Sequence, residues 1–434
     1  MRCQCAFAEP NPSKVLLEAP RRTWYTVRMR ARKRIVVWIG IVVATVAVAT
    51  IGCAPRKQWD GIDYASYTSK QFVTTEFFAT TTRVVMQDDY RQDGADARAE
   101  ETWRQAVAIM DELYRALDPA SEQSDIARWN AAQPSGADLQ IEISRVTYEA
   151  MLAAKKLYDD TDGLYNPAGA RCADLWGFSP RFYRGQTDRV YPYDRQDSRA
   201  QLPEQKYIAG FQTLTQTFEK IVLSADSADN EKYYMTKPVD SSVEIDSGEI
   251  YWAWLDLGGI AKGIAADLVA QCLRDNGYRF GYVSVGGSSA AMLCSIDYNA
   301  LAPDRVDWSV GIRHPRKHET NYLNVYCHDA TVSTSGDYER YYEIDGERYC
   351  HIIDPRTGRP TDSGMQTISV IGPDAAYADA LTTALCIADG DQIKAILAKY
   401  PEYRYTCIGK DGWTTDLPNN RYKLTDQTVR YVSN

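Results

Sequence analysis

The sequence predicts an α+β fold, and three observations carry that reading. Strand-like stretches are joined here by a hairpin and there by a helix, so the regular βαβ alternation of a doubly wound sheet is missing. Helical apolar spacing recurs in separate blocks near residues 97–118, 144–163, 260–276 and 374–388. Of 434 residues, 44% are hydrophobic and 25% charged, with no repeat or low-complexity tract, so one large or two ordinary domains with a proper core are within reach. The net charge of −9 leaves no broad basic face to neutralise phosphates, which argues against a nucleic-acid partner.

The N-terminus differs from the body. "RMRARKR" (28–34) precedes eighteen uncharged residues (35–52) and then Cys53. A basic region, an apolar stretch and small residues before cysteine form the pattern of a bacterial lipoprotein signal, and "TIGC" is lipobox-like with Thr50 in place of the usual leucine. A membrane-spanning anchor is the alternative. Either reading exports the body, because the positive charge stays inside, and Met29 is a candidate start that would leave a signal of conventional length. The expected layout is therefore 1–53 as signal or anchor, 54–71 as tether and 72–434 as one catalytic domain. Seven cysteines follow Cys53 without a CxxC pair; they are expected to be small core residues, with one or two disulfides possible outside the cytoplasm.

Along the body, "KQFVTTEFFATTTRVVMQ" (70–87) has strand composition. The segment 97–118 is an amphipathic helix that stops at Asp118-Pro119, and 144–163 is a second one, capped by Ser144 and ended by Gly163. Residues 180–240 are rich in Tyr, Arg, Gln and Asp with poor periodicity, and are read in part as an insertion. From there the expected strands are 243–257, 280–285, 308–313, 323–332, 341–353 (with a turn at "EIDGER") and 366–372. The expected helices are 260–276, 374–388 and 390–400.

Four segments could carry chemistry. "LDLGGIAKGIAADLVAQCLRDNG" (255–277) runs from a strand through two glycines into a helix, with Lys262 in its first turn; freed amides and a point charge there suit a phosphate. A tight packing turn with a solvated lysine is the plainer alternative. "FGYVSVGGSSAAML" (280–293) repeats the glycine pair at a strand end, which suggests one shared cleft. "ATVSTSGDYERYYEIDGERYCHIIDPRTGRP" (330–360) brings Asp337, able to cap or coordinate, and His351, either a plain core or surface histidine or one suited to a ligand hydrogen bond or a proton transfer. In "DAAYADALTTALCIADG" (374–390), Asp379 and Thr383 stand four residues apart on one helical face. They suit either a hard cation such as magnesium or a cap and a back-bonded hydroxyl.

Together, "DLGGIAKGIAAD", "VSVGGSSAA", "VSTSGDYERYY", "HIIDPRTGRP" and "ADALTTAL" resemble, in order, the FAD:protein FMN transferase (ApbE, or flavin transferase) family, with weaker matches at "SDIARWN" and "GLYNPAGARCADLWGF". The resemblance covers about residues 72–415 and implies a single large ApbE-like, T-fold-related domain of mixed sheets with flanking helices. It also implies transfer of FMN from FAD to a threonine or serine of a target flavoprotein through a phosphoester, with release of AMP. Asp256 and Lys262 would contact FAD; Gly259 (by its carbonyl), Asp379 and Thr383 would hold Mg2+; His351, Ile353 and Asn166 would line the flavin pocket, with Thr81 in the N-terminal turn beside it. His351 and Asp337 are the candidate proton acceptors. The family's Met-Gly-Thr turn is replaced by "ATTT" (79–82), and Asn166 and Ala168 stand where aspartate and threonine are usual. Two alternatives use the same pocket: an FAD pyrophosphatase with water as acceptor, and a non-enzymatic FAD-binding lipoprotein.

Overall fold

In the computed structural model, residues 68–179, 202–226, 232–294, 308–317, 319–327 and 329–432 are described. The signal-like segment 1–53 and most of the tether lie outside them. Among the described residues no helix is long and apolar enough to cross a membrane.

Eight strands build the central sheet: β1 Thr68–Thr74, β2 Thr82–Asp88, β3 Phe280–Val285, β4 Ser289–Cys294, β5 Thr331–Gly336, β6 Met365–Gly372, β7 Arg404–Gly409 and β8 Gly412–Thr415. Each pairs antiparallel with the next in chain order, so the sheet is a meander in space. β3 alternates buried and half-buried residues, the period-two signature that makes its boundaries readable from sequence. Four helices matter for the site: α1 Ala95–Leu117, α2 Arg145–Asp160, α3 Gly258–Asp275 and α4 Ala375–Ile387. Ser144 caps α2 by accepting from the Thr147 amide at 3.2 Å, and Gly163 ends that segment with φ 76°.

The sheet is covered on both faces. A large apolar core joins β2, β3 and β6 to the helices through Val84, Met86, Val283, Val285, Ile368, Leu381 and Leu385. A smaller core (Met292, Tyr322, Leu323, Val325, Trp413) packs a three-stranded sheet of Trp308–Arg313, Asn321–Cys327 and Tyr422–Leu424.

Several expectations are corrected. The strand expected over 323–332 is two strands, Asn321–Cys327 and β5, in different sheets. The one expected over 243–257 is only a short hairpin, Ser242–Glu244 with Ile250–Trp252, after which residues 253–257 join no strand ladder. The strand over 341–353 resolves into Tyr341–Ile344 paired with Glu347–Cys350 and a separate two-residue bridge of Ile353–Asp354 with Arg359–Pro360. Of the low-periodicity stretch 180–240, the described part carries a helix, Gln205–Leu214, whose Phe211 enters the main core along with nearby Phe218. All seven described cysteines are buried and free.

Candidate functional site

The site forms where α3 and α4 cross. Gly263 makes the crossing possible: a Cβ there would stand 2.2 Å from the Ala375 carbonyl oxygen and 2.6 Å from the Ala376 Cα. Because the helices approach this closely, the Gly263 amide donates to Asp379 Oδ2 at 3.1 Å across the interface. Lys262 reaches the same carboxylate, its Nζ 3.3 Å from Asp379 Oδ2, and also donates to the Gly258 carbonyl at 2.8 Å. One turn further along α4, Thr383 faces Gly259: a Cβ on that glycine would be 3.3 Å from Thr383 Oγ1 and 3.2 Å from the ring of Tyr165. Asp256 folds back on the helix start, its Oδ1 accepting from the Gly258 amide at 2.8 Å. The i, i+4 spacing of Asp379 and Thr383 thus delivers both to one small space against the glycine pair.

The electrostatics follow from burial. Asp379 is only 2% exposed, and loss of hydration raises its pKa, opposed by Lys262, the Ser289 hydroxyl and the Gly263 amide. Burial also raises Asp256, against the charges of Arg340 and Lys262. The Tyr165 hydroxyl, buried and without a hydrogen-bond partner among the described residues, is pushed well above the usual tyrosine range by burial and by the charges of Asp379 and Asp256. His351 lies well below the usual histidine range, chiefly through burial and then through the positive charges of Arg340 and Lys262, so its imidazole is neutral at working pH. His351 therefore belongs to the same electrostatic neighbourhood as Lys262.

Other expected residues have structural duties. His351 Nδ1 lies 3.3 Å from the Arg340 carbonyl, which also accepts from the His351 amide. Ile353 sits in the short bridge that opens the Asp-Pro-Arg-Thr-Gly turn, where Asp354 binds the Arg356 guanidinium and Trp176 donates to the Gly358 carbonyl at 2.9 Å. Asn166 is committed at both ends of its amide, donating to the Thr215 carbonyl at 3.0 Å and accepting from the Ala168 amide at 2.9 Å. Asp337 departs most from expectation as a proton acceptor: its two oxygens bind the Arg316 fork at 2.6 Å each, with Arg348 at 3.5 Å. That fork engages both carboxylate oxygens in charge-assisted hydrogen bonds, so Asp337 is part of an arginine cluster.

Gly286 and Gly287, both with positive φ, form the turn between β3 and β4. The turn lies against the N-terminal loop, since the Gly286 amide donates to the Thr81 carbonyl at 2.9 Å. Thr81 is exposed there, and its neighbours Phe78 and Ala79 hold φ of 55° and 50°, a left-handed conformation that costs a side chain roughly 1 kcal/mol or more each. Sequence reasoning missed Tyr165, Ser289 and Arg340. Their only signal was adjacency, to Asn166, to the second glycine pair and to the Ser-Gly-Asp turn, respectively.

Asp379 and the Thr383 hydroxyl beside Gly259, joined by the Gly259 carbonyl that the resemblance implies, would make an oxygen set that suits a small hard cation better than a soft one. Two observations support the fit: the glycine whose side-chain volume Thr383 would contest, and the partnerless Tyr165 hydroxyl beside Asp379. Among the described residues, no group of three or more His, Cys, Asp or Glu is assembled, so the fit rests on a carboxylate, a hydroxyl and a carbonyl.

A meander sheet with a glycine-started helix crossing an Asp/Thr helix defines a recognisable class, and comparison places the chain in it. Residues 78–407 match the ApbE family, so the chain belongs to that family. A Haemophilus influenzae protein named FAD:protein FMN transferase is 26% identical over 341 residues, 78% of this chain and 87% of its own length. A Treponema pallidum protein of the same name is 41% identical over 151 residues, 34% of this chain and 41% of its own length. The Thermotoga maritima ApbE structure superposes with a TM-score of 0.60 at 22% identity, covering 83% of this chain and 98% of that one. The Vibrio cholerae flavin transferase ApbE gives 0.59 at 21%, covering 82% and 96%. These structural likenesses establish the shared α+β architecture.

Proposed function

We propose that this chain is a magnesium-dependent FAD:protein FMN transferase, which moves FMN from FAD to a threonine or serine hydroxyl of a target flavoprotein and releases AMP. The observation that carries the reading is the convergence of Lys262, Gly259, Asp379 and Thr383 at one helix crossing, in a chain whose relatives bear that name. In the reaction the acceptor oxygen attacks the FMN-side phosphorus, the bond to the bridging oxygen breaks, and AMP leaves with that oxygen. Asp379, Thr383 and the Gly259 carbonyl would hold magnesium, which when bound supplies Lewis acidity to the pyrophosphate.

The chain's own groups do the rest. Lys262, fixed between the Gly258 carbonyl and Asp379, places a positive charge at the helix start where charge develops on the leaving phosphate. His351, kept neutral by its surroundings, is the proton acceptor for the attacking hydroxyl, because Asp337 is committed to arginine. The lipobox-like Cys53 supports anchoring to the outer face of the cytoplasmic membrane, with the catalytic body exported. Replacing Cys53 with alanine should move the protein from the membrane to the soluble fraction.

The decisive experiment incubates the purified chain with FAD, magnesium and a threonine-containing acceptor peptide, then weighs the peptide and measures AMP. A mass gain of one FMN supports the transferase. FMN and AMP released equally without acceptor would replace it with the pyrophosphatase, and bound FAD without turnover would leave a carrier.

A further inference from the structure

The segment that delivers Asp256 to the site joins no strand ladder; beside the Ser241 carbonyl, which accepts from the Ala253 amide at 2.7 Å, side chains from distant parts of the chain supply much of its hydrogen bonding. Asn130, the last residue of "SDIARWN", grips Leu255 from both sides: its Nδ2 donates to the Leu255 carbonyl at 2.9 Å, and its Oδ1 accepts from the Leu255 amide at 2.7 Å. That pairing imitates what a neighbouring strand would give one residue, and it acts on the residue immediately before Asp256.

Asn130 is itself braced. Lys237 is fully buried, and its ammonium donates to three carbonyls: Trp129 at 2.9 Å, Asn130 at 3.2 Å and Ala253 at 3.1 Å. Its Nζ also lies 4.4 Å from the centre of the Trp129 ring. Burial, and then the charge of Arg171, pull its pKa down to about 7; with no carboxylate partner among the described residues, three carbonyl dipoles and an aromatic face are what hold its ammonium form. Lys237 thereby ties the end of the Asp125–Ala131 helix to residue 253, while Asn130 ties it to residue 255. Arg171 fixes the entry, donating to the Trp252 carbonyl at 2.7 Å with its guanidinium 3.4 Å from the Trp254 ring. The exit is fixed by the Asp256 amide, which donates to the Pro167 carbonyl at 3.0 Å. Every clamp acts on residues 252–256, and the next turn is the start of α3 with Gly258, Gly259 and Lys262.

We propose that Asn130, braced by Lys237, is a positioning residue for the FAD site: it sets the height of Asp256 and of the first α3 amides against the pyrophosphate. The proposal rests on the FAD-binding reading above. Both side-chain hydrogen bonds of Asn130 go to Leu255, so it acts on Asp256 through that residue.

The test is an FAD titration, followed by flavin fluorescence, on the purified full-length chain with magnesium, alongside thermal melting. Three variants are compared with the native chain: Asn130→Ala; Asn130→Asp, which keeps an acceptor for the Leu255 amide but removes the donor to its carbonyl; and Ile396→Ala, a core truncation in the separate Gly390–Ala398 helix, as a destabilised control. Losing the clamp should raise the FAD Kd about tenfold in Asn130→Ala, with Asn130→Asp in between. Ile396→Ala should lower the melting temperature and leave Kd unchanged. Equal Kd values for the native chain and Asn130→Ala, or an equal weakening in Ile396→Ala, would overturn the proposal. If Asn130→Ala does not fold, an unchanged Kd in Asn130→Asp overturns it. No FAD binding by the native chain would instead fail the functional reading, and the proposal with it.

Discussion

Gly263→Ala separates two effects of opposite sign. By helix propensity alone, replacing a mid-helix glycine by alanine stabilises by roughly 0.5–1 kcal/mol. Packing predicts the reverse. The new methyl would lie 2.2 Å from the Ala375 carbonyl oxygen and 2.6 Å from its carbon. Those are backbone atoms, so no side chain can swing aside, and α3 and α4 must separate by about 1 Å to restore ordinary contact. Overpacking of this kind costs about 1–3 kcal/mol, and a backbone clash belongs at the upper end, so the net loss is about 2 kcal/mol. Spread over a body of this size, that corresponds to a fall in melting temperature of about 3 °C. The same separation stretches the 3.1 Å bond from the Gly263 amide to Asp379 and the 3.3 Å pair of Asp379 with Lys262. A displacement of about 1 Å at a reacting site can lower turnover about a hundredfold. Differential scanning calorimetry and the FMN-transfer assay, run as a magnesium titration, read both consequences. A variant that melts at or above the native temperature with native turnover would refute the packing argument.

Asp379→Asn should lower FMN transfer at least about a hundredfold while leaving the protein as stable or more so. The native carboxyl has a raised pKa, so its ionised form works against folding at neutral pH; a melting curve beside the rate checks both halves. Asp267 accepts from the Ala375 and Ala376 amides at 2.8 Å each, yet burial and the charge of Asp374 push it up to about 8. Between about pH 4 and 8 the folded state therefore holds a proton the unfolded state has lost, so this group's contribution falls as pH rises. The stability advantage of the native chain over Asp267→Asn should narrow between pH 5 and 8.5 by urea titration, and a widening gap would be inconsistent with the assignment. Because His351 is held neutral, the transfer rate should stay flat as pH falls through 6.5, with any histidine limb appearing only lower. A limb centred at 6.5 in the pH–rate profile would contradict that.

Local signals were legible where they were self-contained. β3 alternates cleanly, Ser144 and Gly163 punctuate α2, and the Asp379/Thr383 spacing holds both residues on one face of α4. What could not be read was tertiary in origin. Residues 253–257 look like a strand, "AWLDL", but their backbone partners outside α3 are the side chains of Asn130 and Lys237 and the Ser241 and Pro167 carbonyls. Asp337 looked available as a base because nothing in the sequence announced that Arg316 and Arg348 would close on it. Gly263 carries no turn signal; only the close approach of α4 explains why it lacks a side chain.

The meander order of the central sheet has a kinetic side. β2 and β3 are direct partners, pairing Thr82 with Val285 and Gln87 with Phe280, yet α1, α2, the Ser242–Glu244/Ile250–Trp252 hairpin and α3 all lie between them in the chain. During synthesis, β2 leaves the ribosome long before β3 exists. At about 5–20 residues per second the wait is about 10–40 s. Through that interval one edge of the β1–β2 hairpin, with Val84 and Met86 destined for the core, stands open to any passing strand. Among the strand pairings of this sheet, this is the one on which a chaperone would have the longest time to act.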